Sequence, residues 1–351
     1  MGVSWEGVRI MRVLVIGGTK FIGPAAVVRL RDLGHDVLVF HRGETEIAGL
    51  PDIPHLHGDR LRLADFADAF KHFAPDVVLD TVAYTERDAR VAMGTFVGVA
   101  GRIVALSSMD VYRAYGRVKG SEPGAPDPVP LTEDAPLRAS LYPDAADVPD
   151  ARDHDNILVE RAVMGDPALP ATVLRLPAVY GPHDYHHRLF PYLKRMDDRR
   201  PAIALDEHIT RWRWTRGYVE NVAAAIALAV TDERASGRIY NVGEGQALTE
   251  ADWVRAIGRA ADWAGEVVVV PRERLPVSLR WWGNAAMEQE WAVDTTRIRA
   301  ELGYAEVIPR DEALRRTVAW ERANPPTDVP PALFDYAAED AVLTGEGTSR
   351  G

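Results

Sequence analysis

The chain has 351 residues, 47% of them hydrophobic, which suits one large domain or a domain with an added lobe. Acidic residues outnumber basic ones by 52 to 41, and the resulting charge of −11 argues against general nucleic-acid binding, which wants a basic face. The absence of cysteine excludes disulfides and thiolate chemistry, no run reaches the ~18–20 apolar residues of a membrane span, and no secretory leader is visible. A cytoplasmic protein without a membrane partner is therefore expected.

Residues 1–10 read as peripheral, and Met11, where the first strand begins, is a candidate functional start. Val13-Leu14-Val15-Ile16 predicts a buried parallel strand. Gly17-Gly18-Thr19-Lys20-Phe21-Ile22-Gly23 follows directly. Its glycines let the backbone turn sharply and approach a pyrophosphate, which the positive end of the next helix then faces. Ala25, Val28, Leu30 and Leu33 have roughly helical spacing, Gly34 supplies a stop, and Asp36-Val37-Leu38-Val39-Phe40 predicts a second strand. Strand, turn, helix and strand in that order make a dinucleotide-binding βαβ unit, the alternative being a tight turn with no ligand.

The alternation continues. Residues 76–81, 102–106 and 171–176 read as buried strands, the last preceded by a helix from Ile157 to Met164. A doubly wound, mostly parallel α/β sheet is predicted. Ligands of such sheets lie outside the carboxyl ends of the strands. The candidates there are His41, Arg42, Asp59, Arg60, Val82, Ala83, Tyr84, Ser107, Ser108 and Pro177.

Further along, His183-Asp184-Tyr185-His186-His187 has the makings of a metal site. Without a separated further ligand it reads as a polar loop, and no metal is expected. Arg211-Trp212-Arg213-Trp214-Thr215-Arg216 sets two tryptophans between three arginines, a clamp for a planar anion or else solvated arginines with packed indoles. Trp253, Trp263, Trp281, Trp282 and Trp291 read as lobe core or an interface. From Pro325 onward five acids face Arg350 among prolines and glycines, and residues 323–351 read as a loose or disordered tail.

These features together resemble the extended short-chain dehydrogenase/reductase superfamily of the nucleotide-sugar epimerase/dehydratase type, over about residues 11–320. The glycine turn is similar to its coenzyme loop and Gly58-Asp59 to its adenine-contacting turn. Ser107-Ser108-Met109-Asp110-Val111-Tyr112 resembles its serine strand, and Arg175-Leu176-Pro177-Ala178-Val179-Tyr180-Gly181-Pro182 its strand-to-substrate-loop motif. Arg216-Gly217-Tyr218-Val219-Glu220-Asn221, Tyr240-Asn241-Val242-Gly243 and Glu301-Leu302-Gly303-Tyr304 are similar to its C-terminal signatures. Lys20 in place of the usual second glycine resembles an atypical branch that also holds chloroplast RNA-binding proteins.

The resemblance implies a Rossmann-type domain over 11–180, with 217–242 returning to it. It implies a smaller C-terminal substrate lobe from 181–216 and 243–322, and a homodimer. It places Tyr84, Tyr180, His183, Arg211, Arg213 and Arg216 toward a nucleotide-sugar or similar polyhydroxylated substrate. The second strand ends Phe40-His41-Arg42-Gly43 with no carboxylate before Glu44, so a 2′-phosphate is accommodated and NADP is favoured over NAD. Asp59 is expected at the adenine, or as a turn former after Gly58.

Catalysis is where the pattern departs from the family. The superfamily uses a tyrosine with a lysine four residues later, whose charge favours phenolate. Ser108 fits the role of orienting the substrate hydroxyl, and Ser107 that of a coenzyme contact. Against Glu160, however, Asn156 falls in the lysine slot and Arg152 in the tyrosine slot. Three readings stay open: Tyr142 carries the proton, His154 carries it, or the acid/base pair is missing. The last leaves an enzyme with different chemistry, or a non-redox dinucleotide-binding or RNA-binding module.

Overall fold

The computed structural model describes residues 9–45, 53–143, 152–275 and 288–344. The first half carries β1 (Arg12–Ile16), α1 (Ile22–Asp32), β2 (Asp36–His41), β3 (His55–His57), α2 (Ala67–Phe73), β4 (Val77–Asp80), α3 (Glu86–Phe96), β5 (Arg102–Ser108) and α4 (Arg113–Val118). Next come α5 (Asn156–Met164), β6 (Ala171–Leu176), β7 (Ala178–Tyr180), α6 (Phe190–Asp197), β8 (Ala202–Asp206), α7 (Glu207–Arg211), β9 (Arg216–Tyr218), α8 (Val219–Thr231) and β10 (Ile239–Asn241). The chain closes with α9 (Glu250–Ala260), β11 (Glu266–Val270), α10 (Thr296–Leu302), α11 (Arg310–Ala323) and α12 (Tyr336–Thr344).

Seven strands form one parallel sheet in the order β10-β6-β5-β4-β1-β2-β3. Alternate residues of a strand face opposite sides. Val13, Val15, Val77 and Leu79 therefore pack toward α1 and α8, and Leu14, Ile16 and Val78 toward α3 and α5. This is the doubly wound Rossmann-type architecture that the alternation predicts. The strand order reverses between β1 and β4, which makes the gap beyond their carboxyl ends the natural ligand crevice. β10 returns to the sheet by pairing with β6.

Outside the sheet, β8 pairs with β11 and β7 with β9. β3, β7 and β9 are three residues long, too short to leave a period in the sequence. The segment after Pro325 differs from the loose tail expected. α12 packs Val342 against Val270 and Leu275, and Glu339, 2% exposed, pairs with buried Arg195 at 2.6 Å. A buried guanidinium needs a carboxylate partner, and this one comes from α12. Trp281, Trp282, residues 1–8 and 345–351 lie outside the described residues.

Candidate active site

The glycine turn closes tightly on the sheet. Gly17 and Gly18 have φ of +86° and +79°, and a Cβ on Gly17 would stand 2.5 Å from Thr81 Oγ. A Cβ on Gly23 would stand 2.5 Å from Gly18 Cα, so the helix start lies directly on the turn. Gly17 N–H donates to Phe40 O at 2.9 Å and Gly18 N–H to Thr81 Oγ at 3.0 Å, so these two amides serve the fold. The first turn of α1 is then the part aimed at an anion. Its N-cap, Phe21 at φ +46°, provides no side-chain cap. A cradle without room for a side chain, under an uncapped helix, fits a dinucleotide diphosphate. Thr19 shares a hydrogen bond with Thr45 at 2.7 Å, Lys20 is exposed, and Ile22 opens the helix. Val82 crowds Gly17 and Ala83 is buried beside it in the chain.

At the end of β2 the expectations need correction. Arg42, expected to accept a 2′-phosphate, is exposed and pairs with Glu44 at 2.8 Å, a surface contact that lends no support to the preference for NADP. His41 is buried, and its ring contacts His55 and His57. Asp59 is exposed and caps Leu61 N–H at 2.9 Å, the turn-forming role. Arg60 points to Asp80 through two hydrogen bonds of 2.9 and 3.0 Å and to Asp88 at 3.1 Å. Burial disfavours its charge, yet the two carboxylates hold its pKa above the usual arginine value. Its guanidinium braces the end of β4.

Ser107 and Ser108 separate because strand neighbours face opposite ways. Ser107 is buried and donates to Glu160 Oε1 at 2.7 Å, so it is not the coenzyme contact expected. Glu160 in turn takes two hydrogen bonds from buried Arg175, at 2.9 and 2.7 Å. Arg175 also donates to the Tyr112 hydroxyl at 3.0 Å. Ser108 is half-buried and accepts Asp110 N–H at 3.2 Å. Asn156 donates its side-chain amide to both Asp110 oxygens, at 3.2 and 3.0 Å. One residue earlier, Asp155 caps α5 at Ile157 N–H and accepts Tyr142 N–H at 2.6 Å. Tyr142 thus reaches α5 through its main chain, and the residue is 42% exposed.

His154 is half-buried and stacks on Tyr84, with ring centroids 5.0 Å apart. Asp155 N–H also donates to Tyr84 O at 3.0 Å, tying α5 to the loop after β4. Surrounding chain first, then Tyr185 and Asp80, push the Tyr84 hydroxyl up to about 12, so it stays a neutral phenol near pH 7. Ser108, Asp110, Tyr142, His154, Asn156 and Tyr84 are therefore linked by contacts at the carboxyl end of the sheet.

The expected substrate residues divide. Tyr180 is buried and donates to Glu244 at 2.8 Å, and Arg216 is buried between Glu250 and the Trp253 ring. Neither faces a ligand as placed, because both satisfy lobe-core partners. Pro177 is likewise buried, against Gly217. His183 packs on Trp320, and His187 stacks on the same indole while pairing with Glu321 at 2.7 Å. Arg211 and Arg213 are exposed, and Arg213 donates to Ala247 O at 3.0 Å.

Sequence reasoning missed His55 and His57. They flank Leu56 on β3, and one ligand atom from each, with one from His41, lies within 4.8 Å of the others. The His-x-His spacing on a strand was the available signal.

The fold is that of the extended short-chain dehydrogenase/reductase superfamily. The chain belongs to the NAD dependent epimerase/dehydratase family, whose model matches residues 13–117 and 156–243. It is 25% identical over 361 residues to a probable dTDP-glucose 4,6-dehydratase of Sinorhizobium fredii, covering 90% of this chain and 93% of that one. It is 28% identical over 345 residues to the dTDP-glucose 4,6-dehydratase of Streptomyces niveus, covering 90% and 94%. A solved UDP-glucose 4-epimerase from Stenotrophomonas maltophila, with NAD and formylated UDP-arabinopyranose, aligns with a TM-score of 0.67 at 21% identity, covering 89% of this chain and 98% of that one. No helix among the described residues is long and apolar enough to cross a membrane.

Proposed function

We propose that this protein is an NAD-dependent enzyme acting on a nucleoside-diphosphate sugar, in which Ser108 orients the reacting hydroxyl and His154 carries its proton. The linked contacts from Ser108 through Asp110 and Asn156 to α5, whose N-terminal flank holds His154 against Tyr84, carry this reading. When bound, the coenzyme supplies a reversible hydride acceptor. NAD is the assignment, supported by the family match and by the NAD held in the Stenotrophomonas maltophila epimerase. His154 stacks its ring on Tyr84 beside the N-terminus of α5, whereas Tyr142 reaches α5 only through its main-chain N–H, and that contrast favours His154 over Tyr142. The names of the relatives support a nucleoside-diphosphate hexose, which the lobe of 181–216 and 243–322 would receive with Arg211 and Arg213 toward its phosphates.

The test incubates the protein and NAD with dTDP-glucose and with UDP-glucose, following product mass for loss of water and product configuration for epimerisation. His154→Gln is expected to lower kcat by roughly 10²-fold or more, and Tyr142→Phe by only a few-fold. The reverse order would assign the proton to Tyr142. A second reading, a dinucleotide-binding module without turnover, is favoured by Asn156 standing where a cation is wanted. It predicts stabilisation by NAD, about 1.4 kcal/mol at ten times the dissociation constant, with no product from either sugar.

A further inference from the structure

We propose that His41, His55 and His57 form a binding site for a divalent transition metal of the zinc class, separate from the Ser108 site. β2 and β3 run parallel with His41 in register with His57, and His55 lies two residues away on the same face of β3. Side chains in register or two apart on paired strands share a face, so all three imidazoles meet at one corner of the sheet. Ring centroids are 4.7 Å apart for His41 and His57, 4.9 Å for His41 and His55, and 6.3 Å for His55 and His57. Interplanar angles of 67–87° rule out stacking as the reason for the cluster.

His41 is buried, His55 half-buried and His57 exposed, so the group opens from core to surface with an entry path. Three imidazoles without a thiolate suit zinc, cobalt or nickel and leave a fourth position for water. His41 Nε2 lies 2.7 Å from His55 Nδ1, a proton-sharing contact. Two nitrogens bound to one zinc at about 2.0–2.1 Å stand roughly 3.3 Å apart at a tetrahedral angle. The metal would replace that shared proton, which passes to Nδ1 of His41, and part the rings by roughly 0.6 Å. With His41 coordinating through Nε2, its ring proton moves to Nδ1, and the Gly43 amide, now 3.2 Å away, has to swing aside. Gly43, at φ +79°, is a residue that permits such a turn. The bound ion would staple edge strand β3 to β2, one strand from the glycine turn on β1.

The test uses untagged protein, stripped with a chelator and titrated with Co2+ for visible ligand-field absorption and with Zn2+ by calorimetry. One metal per chain is expected, with affinity weakened at least about tenfold in His57→Gln and in His55→Gln. Far-UV circular dichroism checks that each variant folds, and His57, being exposed, can change without disturbing the core. No stoichiometric metal uptake below about 1 mM, or uptake undiminished in the double variant, would overturn the site. Neither result depends on turnover, so the outcome is distinct from that of the proposed reaction.

Discussion

Asn156 holds Asp110 by both carboxylate oxygens, at 3.0 and 3.2 Å. The family pattern puts a lysine at this position. Here a neutral amide satisfies the carboxylate and locks the turn that follows Ser108. Position 156 therefore supplies a hydrogen-bond donor to the site and no positive charge.

Replacing Asn156 with Asp should set two carboxylates at hydrogen-bonding distance. Like charges so close raise one pKa and destabilise the ionised pair. A loss of about 1–3 kcal/mol at pH 7 is expected, recovered near pH 4 when one carboxyl is protonated. Urea denaturation at the two pH values measures it, and equal losses at both would refute the electrostatic account.

Two glycine substitutions should separate the turn from ordinary backbone strain. A methyl at Gly23 meets Gly18 Cα at 2.5 Å, backbone that cannot step aside without opening the cradle. Gly34, at φ +85°, has nothing within 4 Å of the place a methyl would take, so Gly34→Ala carries only left-handed strain of about 1–2 kcal/mol. Isothermal titration should find NAD affinity unaffected in Gly34→Ala and reduced more than about tenfold in Gly23→Ala, where the diphosphate cradle itself moves.

Glu160→Gln should be among the most damaging changes. Arg175 is 2% exposed, and Glu160 provides its two carboxylate contacts at 2.9 and 2.7 Å. Removing the charge strands a buried guanidinium, at a cost of about 3–5 kcal/mol. A shift in the urea midpoint corresponding to less than about 1 kcal/mol would mean that the neighbouring Tyr112 and Glu133 carbonyl already suffice.

His35 provides a pH signature. Its Nδ1 accepts Met11 N–H at 3.3 Å, and burial lowers its pKa below the usual 6.5 despite the opposing pull of Asp36. The unfolded chain takes up a proton at 6.5 that the folded chain accepts only at lower pH. This stabilisation is therefore complete above 6.5 and lost as pH falls from there through the folded value. The stability difference between wild type and His35→Gln should narrow with acidification across that window. A constant difference would exclude the linkage.

The βαβ unit was legible because each of its parts has a local cause: an apolar run, three glycines and a helical stripe. Asn156 was also readable, from its distance to Glu160. Ser107 and Ser108 look equivalent in the chain, and only the buried Glu160–Arg175 pair draws the first inward. Arg216 and Tyr180 share that fate, since an arginine among tryptophans reads the same whether it meets a phosphate or Glu250.

Local spacing and side-chain chemistry were enough, without coordinates, to determine a doubly wound sheet with a dinucleotide turn on its first strand. Packing across long chain separations decided the rest. Glu339 reaches Arg195 from 144 residues away, and His41 meets histidines that lie on another strand. Such pairings depend on which strands adjoin and which faces they turn inward. Those are properties of the assembled sheet, and they leave no period in the chain.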